Sequence, residues 1–118
     1  MTENAGQLST DVVVDATLAR VRVAGELDLE GAPVLEEEFR GLLALGVKTV
    51  VVDMSAVTFL DSTGLRAIIV GREILVAGGA VLTLEGVGGV VERVLQMTGL
   101  MDLLTGPVDE ATAAPANG

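Results

Sequence analysis

Hydrophobic and polar residues alternate near the start of the chain in the pattern of two β-strands. The run from Val12 to Asp15 predicts the first strand, and the run from Thr17 to Ala24 predicts the second. Strict alternation is typical of a strand that exposes one face. The second strand carries Ala19, Val21 and Val23 on one face and Leu18, Arg20 and Arg22 on the other. We expect a tight turn near Asp15 and Ala16 to join the strands as an antiparallel pair.

A first helix is predicted after a short loop at Gly25 to Asp28. Pro33 suits the first turn of that helix, because a helix start does not use the N–H that proline lacks. Gly46 suits the C-terminal end, where the chain often takes a left-handed conformation. Helical spacing separates an apolar face from a charged one. The apolar face is Leu35, Phe39, Leu42 and Leu43, and the charged face is Glu36, Glu37 and Arg40.

A strand and a second helix follow. The continuous apolar run from Thr49 to Val52 is typical of a central strand, and we expect it to end at Asp53. Asp61 or Ser62 is suited to cap the next helix, which is predicted to run to about residue 77 and to stop at the glycine pair after it. Arg72 falls inside the apolar stripe and is expected to reach the edge with its charged end. The stripe is Leu65, Ile68, Ile69, Leu75 and Val76.

The last part of the chain predicts one more strand and one more helix. Ala80 to Leu84 forms the strand, and the helix ends at Gly99. The apolar face of that helix is Val90, Val91, Val94 and Leu95. Leu103-Leu104 favours a last short strand. This order of elements predicts an α/β domain with a mixed, mostly parallel sheet and an antiparallel pair of strands at its start.

The composition fits one domain and excludes several classes of function. We expect the domain to span residues 10–105, between flexible tails at residues 1–9 and 106–118. The net charge of −10 opposes binding to nucleic acid or to an anionic membrane, and it favours a protein partner with a basic patch. The absence of cysteine and histidine removes disulfides, thiolate metal sites and the commonest general base.

Neither a signal peptide nor a transmembrane helix is predicted, so we expect a cytoplasmic protein. The first residues, MTENAGQLSTD, lack the basic and apolar regions of a signal peptide. The longest uncharged apolar stretch runs from Ile74 to Leu84, which is shorter than the roughly 18 residues that a membrane-spanning helix needs.

The start of the second helix is the main candidate for a functional site. A helix start has free N–H groups and a partial positive charge, so it tolerates a phosphate group on Ser62. A plain helix cap with no further function is the alternative that these residues leave open. Catalysis by Ser62 is disfavoured because a nucleophilic serine needs an adjacent base, and the chain has no histidine and only one lysine, Lys48.

Three other kinds of functional site match the sequence less well: a phosphorylated aspartate, a dinucleotide-binding loop and a Mg²⁺ site. Asp53 could end a strand as the phosphorylated aspartate of a response-regulator receiver does, but the other acids and the lysine of that site are missing. The run Gly86 to Val91 resembles a dinucleotide fingerprint without its third glycine. Asp28, Asp53 and Asp61 have the oxygen ligands that Mg²⁺ takes, although solvated carboxylates at strand ends are the simpler interpretation.

Several motifs occur in the order and spacing of a known family. They are Gly25-Glu26-Leu27-Asp28, Val52-Asp53-Met54-Ser55, Phe59-Leu60-Asp61-Ser62-Thr63-Gly64-Leu65 and Arg93-Val94-Leu95-Gln96-Met97-Thr98-Gly99-Leu100. Over roughly residues 10–105 the chain resembles the STAS-domain anti-sigma factor antagonists of bacterial partner-switching systems. The Asp-Ser-Thr-Gly-Leu element, taken in this setting, is the most specific part of the resemblance.

The resemblance implies a STAS fold with three to four helices and a switch protein that is not an enzyme. In that family the unphosphorylated antagonist binds an anti-sigma factor that is also a serine kinase, and the sigma factor is released. The kinase phosphorylates the serine that matches Ser62, which ends binding, and a serine phosphatase restores the antagonist. No catalytic residue, metal site or cofactor is implied. The implied partner-binding residues are Glu26, Leu27, Asp28, Asp61, Thr63, Gly64, Leu65 and Arg66.

One departure and two alternatives qualify this interpretation. Arg66 stands where family members often carry a small residue, and a longer side chain there could alter the choice of partner. One alternative is a STAS-type scaffold, such as an accessory subunit of a sensory or transport complex, in which Ser62 is not modified. The other alternative is nucleotide binding by the loops at the strand ends.

Overall fold

A computed structural model describes residues 7–106 of the chain. This part contains four strands and four helices in the order β-β-α-β-α-β-α-α. In chain order they are β1 (Ser9–Asp15), β2 (Leu18–Leu27), α1 (Ala32–Ala44), β3 (Thr49–Leu60), α2 (Ser62–Ala77), β4 (Val81–Glu85), α3 (Gly89–Thr98) and α4 (Met101–Thr105). None of the helices between residues 7 and 106 is long and apolar enough to cross a membrane.

The strands form one mixed sheet in the order β1-β2-β3-β4. β1 pairs antiparallel with β2 through a tight turn at Ala16, whose φ of 57° is left-handed. β2 pairs parallel with β3, and β3 pairs parallel with β4. Each parallel pair is connected through a helix, as parallel pairing requires. The predicted α/β class, the antiparallel first pair and the mostly parallel sheet are therefore confirmed.

One face of the sheet is covered by α1 and α2. The strand residues that point to this face are buried, as the alternation in β2 predicted, and they include Ala19, Val21, Val23, Val50, Val52, Leu82 and Leu84. The Thr10 hydroxyl on β1 donates to Glu38 on α1 at 3.0 Å. The two helices pack closely where the ring of Phe39 lies against Gly71, since a Cβ at residue 71 would come within 2.1 Å of that ring.

The opposite face of the sheet is covered in part by α4. Thr83 points to this face because it alternates with Leu82 and Leu84 along β4. Its hydroxyl lies 3.0 Å from the carbonyl oxygen of Gly106 and 3.3 Å from that of Leu104. Arg20 on β2 forms an exposed ion pair with Glu85 on β4. The end of α4 is therefore held against β4, while Arg20 and Arg22 on the β2 side of this face are exposed among the described residues.

Two predictions about the strands next to the site are wrong. The segment Gly25 to Leu27 was predicted as a loop, but it continues β2, and β3 runs to Leu60 instead of ending at Asp53. The two extensions pair with each other, from Gly25 opposite Val57 to Leu27 opposite Leu60. Irregular register after Arg22 and after Gly25 allows the pairing to continue. The extended parts of β2 and β3 stabilise each other, because the backbone N–H and C=O groups of one form hydrogen bonds with those of the other.

Further differences concern exposed positions and the ends of the chain. Leu103-Leu104 forms part of the helix α4 and not a strand, because the backbone N–H of Leu104 donates to the carbonyl oxygen of Leu100 at 3.1 Å and so completes a helical turn. Val76 was predicted in the buried stripe of α2 but is 48% exposed. Ser9, placed in the predicted N-terminal tail, is the first residue of β1. Most of both predicted tails, residues 1–6 and 107–118, lies outside the described residues.

Candidate functional site

The start of α2 is capped by Asp61 and not by Ser62. Asp61 has extended backbone angles, and its Oδ1 accepts a hydrogen bond from the backbone N–H of Gly64 at 2.9 Å. Ser62 is the first residue of the helix, and its side chain is exposed. Within the described part of the chain, no hydrogen bond involves the Ser62 hydroxyl. The cap therefore does not use this hydroxyl, and solvent can reach it.

Gly64 brings the first turn of α2 against the end of β2. A Cβ atom at this position would lie 2.1 Å from the carbonyl oxygen of Leu27 and 2.9 Å from its Cγ. The backbone N–H of Asp61 also points to the Leu27 carbonyl oxygen, at 3.5 Å. Only glycine fits this contact, because any side chain would collide with the backbone. The contact sets where Ser62 lies relative to β2.

A shallow depression runs along the outer surface of α2 from its first turn. Its lining residues are Ser62, Thr63, Leu65, Arg66, Ile69, Val70 and Glu73. Ser62 and Arg66 are exposed at one end, whereas Ile69 and Val70 are half-buried in the middle. The surface therefore offers a hydroxyl, a cation and an apolar strip along one helix.

The end of β2 supplies an acidic surface next to α2. Glu26 pairs with Phe59 on the neighbouring strand, and Leu27 pairs with Leu60. The Asp28 carboxylate accepts the backbone N–H groups of Glu30 and Gly31, each at 3.1 Å, and so turns the chain into α1. A second depression here is lined by Gln7, Leu8, Glu26, Asp28, Glu30, Gly31 and Val34.

The partner-binding residues that the family resemblance implies lie at the end of β2 and the start of α2, which touch through Leu27 and Gly64, but they do not all reach the surface. Glu26 and Arg66 are exposed, and Asp28, Asp61 and Thr63 are half-buried. Leu27, Gly64 and Leu65 are buried, so they have little surface to offer a partner. Leu27 and Gly64 hold the end of β2 against the start of α2, since a Cβ atom on Gly64 would collide with Leu27.

Three exposed apolar residues beside this site were not predicted as site residues. Phe59 is 44% exposed and pairs with Glu26, Leu29 is 70% exposed directly after Asp28, and Val34 is 49% exposed in the depression at the start of α1. The sequence carries little signal for their exposure, because an exposed apolar residue cannot be distinguished from a core residue by its type alone. They add apolar area around an acidic centre.

Asp53 lies apart from this surface and serves the local fold. Its Oδ1 accepts the backbone N–H of Ser55 at 2.9 Å. This hydrogen bond is the largest cause of its lowered pKa; the Ser55 side chain, Arg22 and Arg20 act in the same direction. Between residues 7 and 106 no three acidic side chains lie close enough together to hold a metal ion.

Comparisons with known proteins agree on one family. The STAS-domain family model matches residues 9–113. An anti-sigma-B factor antagonist of Staphylococcus aureus is 30% identical over 97 residues, which cover 82% of this chain and 90% of that protein. An anti-sigma factor antagonist from Mycobacterium paratuberculosis has a similar structure, with a TM-score of 0.74 and 28% identity over 92% of each chain.

A second solved structure, SpoIIAA, supports the same fold at lower identity. Its unphosphorylated form superposes with a TM-score of 0.71 and 20% identity, covering 89% of this chain and 92% of SpoIIAA. A phosphorylated form from Bacillus has also been solved and gives a TM-score of 0.66, with 19% identity over 89% of this chain and 96% of SpoIIAA. At this identity the likeness shows a shared fold.

Proposed function

Because the chain belongs to the STAS-domain family of anti-sigma factor antagonists, we propose that it binds an anti-sigma factor and thereby frees a sigma factor. Members of this family are regulatory binding proteins and not enzymes. The protein acts in the cytoplasm, where sigma factors meet RNA polymerase, and has no direct contact with nucleic acid or membrane.

The switch is phosphorylation of Ser62 by the anti-sigma factor, which is also a serine kinase. The Ser62 Oγ forms a bond to the γ-phosphorus of ATP, the bond from that phosphorus to the bridging oxygen of ADP breaks, and the hydroxyl proton passes to a base of the kinase. The phosphorylated chain then releases the kinase. A serine phosphatase returns Ser62 to its hydroxyl form by transferring the phosphoryl group to water.

The observation that carries this proposal is the exposed Ser62 hydroxyl at a helix start that is capped by Asp61. A hydroxyl used as the cap would be held against the backbone and hidden from a kinase, whereas this one faces the depression along α2. A phosphate group added here needs no rearrangement of the fold. The same surface can therefore exist in a phosphorylated and an unphosphorylated state.

Electrostatics explain how one phosphate group ends binding. Phosphorylation adds a charge of about −1.5 to −2. It would lie beside Asp61 and near Glu26 and Asp28, on a chain whose net charge is already −10. Burying this dianion in an interface whose partner places no cation opposite Ser62 costs several kcal/mol. Since each ~1.4 kcal/mol changes affinity tenfold, the complex would be lost without a change of fold.

The test combines a kinase assay with binding. The anti-sigma factor of the host is incubated with ATP and either the parent chain, Ser62→Ala or Ser55→Ala. We expect one phosphate on the parent chain, mapped to Ser62 by mass spectrometry, none on Ser62→Ala, and normal phosphorylation of Ser55→Ala. The Ser55 variant is the matched control, because it removes another exposed serine hydroxyl that lies beside Asp53 and outside the candidate site.

Binding is then measured with Ser62→Ala and Ser62→Asp as paired baits in host lysate. The proposal expects the Ala form to retain an anti-sigma factor with a kinase fold and the Asp form to lose it. If both forms retain the same proteins, or if neither retains a kinase, Ser62 is only part of the helix start. The STAS-type scaffold in a sensory or transport complex would then be the better interpretation.

A further inference from the structure

Arg66 is the one cation among the described residues that line the depression beside Ser62. Its side chain is exposed. Within residues 7–106 the ion pairs are those of Arg20 with Glu85 and of Arg40 with Glu37, so the Arg66 guanidinium has no carboxylate partner there. Its charge is available to a new anion at this surface.

The helix places Arg66 next to Ser62. The two residues are four positions apart on α2, and side chains at this spacing are neighbours, with Cβ atoms about 5–6 Å apart. Side chains on a helix lean toward its N-terminus, so the Arg66 side chain leans toward the turn that contains Ser62. An anion placed four residues before a cation is also the favourable order for such a pair.

We propose that Arg66 binds the phosphate group of phosphorylated Ser62 within the same chain. This inference rests on the proposed phosphorylation of Ser62. A guanidinium can donate two parallel hydrogen bonds to phosphate oxygens, and charge-assisted bonds of this kind are stronger than neutral ones. Arg66 is thus the residue of this chain that senses the phosphorylated state.

Among the described side chains that line the depression, Arg66 is the one that attracts the phosphate, in addition to the partial positive charge at the start of α2. The nearby carboxylates are Asp61 on the same turn, Glu73 at the far end of the depression, and Glu26 and Asp28 at the end of β2. All of them repel a phosphate dianion. Arg66 offsets part of that repulsion and orients the phosphate along the helix surface.

The ion pair between Arg66 and the phosphate adds a second effect of phosphorylation on the surface charge. Without the ion pair, phosphorylation would only add negative charge. With it, the modification also engages the cation of this depression, so that an acidic group of a partner can no longer pair with Arg66. Phosphorylation then alters two charges of the binding surface at once.

The test uses the full chain with phosphoserine incorporated at position 62 during synthesis, so that no kinase is needed. The pKa of the phosphate group is measured by ³¹P NMR titration through its second ionisation. Because a nearby cation stabilises the dianion, we expect the pKa to rise by roughly 0.3 unit in Arg66→Gln, the size expected of a helical ion pair. Arg66→Lys should keep most of the parent value.

Arg72→Gln is the matched control, since it removes the same charge from the same helix ten residues from Ser62. It should leave the phosphate pKa at the parent value. Equal pKa values in the parent and Arg66→Gln, or equal shifts in Arg66→Gln and Arg72→Gln, would overturn the proposal. The titration needs no kinase, so its result bears on the role of Arg66 alone. If no kinase modifies Ser62, the proposed function fails, and that result comes from the separate kinase assay.

Discussion

Gly64 is the residue at which the start of α2 and the end of β2 come closest. Its missing side chain leaves room for the Leu27 carbonyl oxygen, which a Cβ would approach to 2.1 Å. Such an overlap with backbone cannot be relieved by turning a side chain. The geometry of the whole candidate site depends on this one contact.

Gly64→Ala should therefore destabilise the folded chain by about 1–3 kcal/mol, the usual range for overpacking a close contact. The free energy of unfolding in urea measures the effect. Gly41→Ala is the control, since a Cβ at residue 41 of α1 meets nothing within 4 Å. That change should stabilise the chain by about 0.5–1 kcal/mol through helix propensity. Equal effects of the two substitutions would contradict the role given to Gly64.

At the residue scale the sequence predicted a helix cap but not which residue forms it. Asp61 and Ser62 are both good capping residues, so the motif alone left two assignments open. The packing of Gly64 on Leu27 and the extended backbone of Asp61 select the aspartate. Leu27 and Leu65, two of the residues that the family resemblance implies for partner binding, are buried in the structure.

The helix α4 is held on the sheet in part by a single polar side chain, Thr83. Its five residues are too few to form a stable helix alone. Leu104 is buried, and the Thr83 hydroxyl donates to the carbonyl oxygens at the end of the helix. These contacts hold α4 on the sheet face that α1 and α2 leave uncovered.

Thr83→Val should release the end of α4 at a cost of about 1 kcal/mol, since it removes one hydrogen-bond donor while keeping the side-chain shape. Hydrogen exchange should become faster for the amides of α4 but stay unchanged in α1 and α2. Thr58→Val, an exposed threonine on β3, is the control and should change stability by less than about 0.5 kcal/mol. Unchanged exchange in α4 would show that the Leu104 contacts alone hold it.

At the element scale, helices were easier to predict than strand ends. The spacing of apolar residues and the glycines after residues 45 and 77 mark α1 and α2 in the sequence itself. The extension of β2 and β3 past Gly25 and Asp53 carries no local signal. The extension forms because the two segments pair with each other, and this pairing depends on how the whole chain folds.

The molecule as a whole is strongly acidic, and its stability should depend on pH where carboxylates are stabilised in the folded chain. The pKa of Asp53 is below its ordinary value of 3.8, chiefly because Ser55 donates hydrogen bonds to the carboxylate. A lowered folded-state pKa means that the ionised form stabilises the fold. This contribution is fully present above the unfolded pKa and is lost as the pH falls through the folded pKa.

Asp53→Asn tests this dependence, because asparagine keeps an oxygen that can accept the Ser55 N–H but carries no charge. The difference in free energy of unfolding between parent and variant should be constant from about pH 7 to about pH 5 and should shrink below about pH 4. Urea unfolding at several pH values measures it. Ser55→Ala keeps the backbone donor, so it should preserve most of the parent's acid dependence. A difference that stays constant to about pH 3 would refute the assignment.

The sequence by itself determined the α/β class, the antiparallel first strand pair, the first three helices and the acidity, because these follow from the spacing and type of neighbouring residues. It also marked the segment around Ser62 as the candidate site. The tertiary structure alone decided that β2 and β3 continue past their predicted ends, that Leu104 lies in a helix, and that Ser62 stays exposed while Asp61 caps. Each of these outcomes depends on contacts between segments distant in the chain, and no local pattern of residues encodes such contacts.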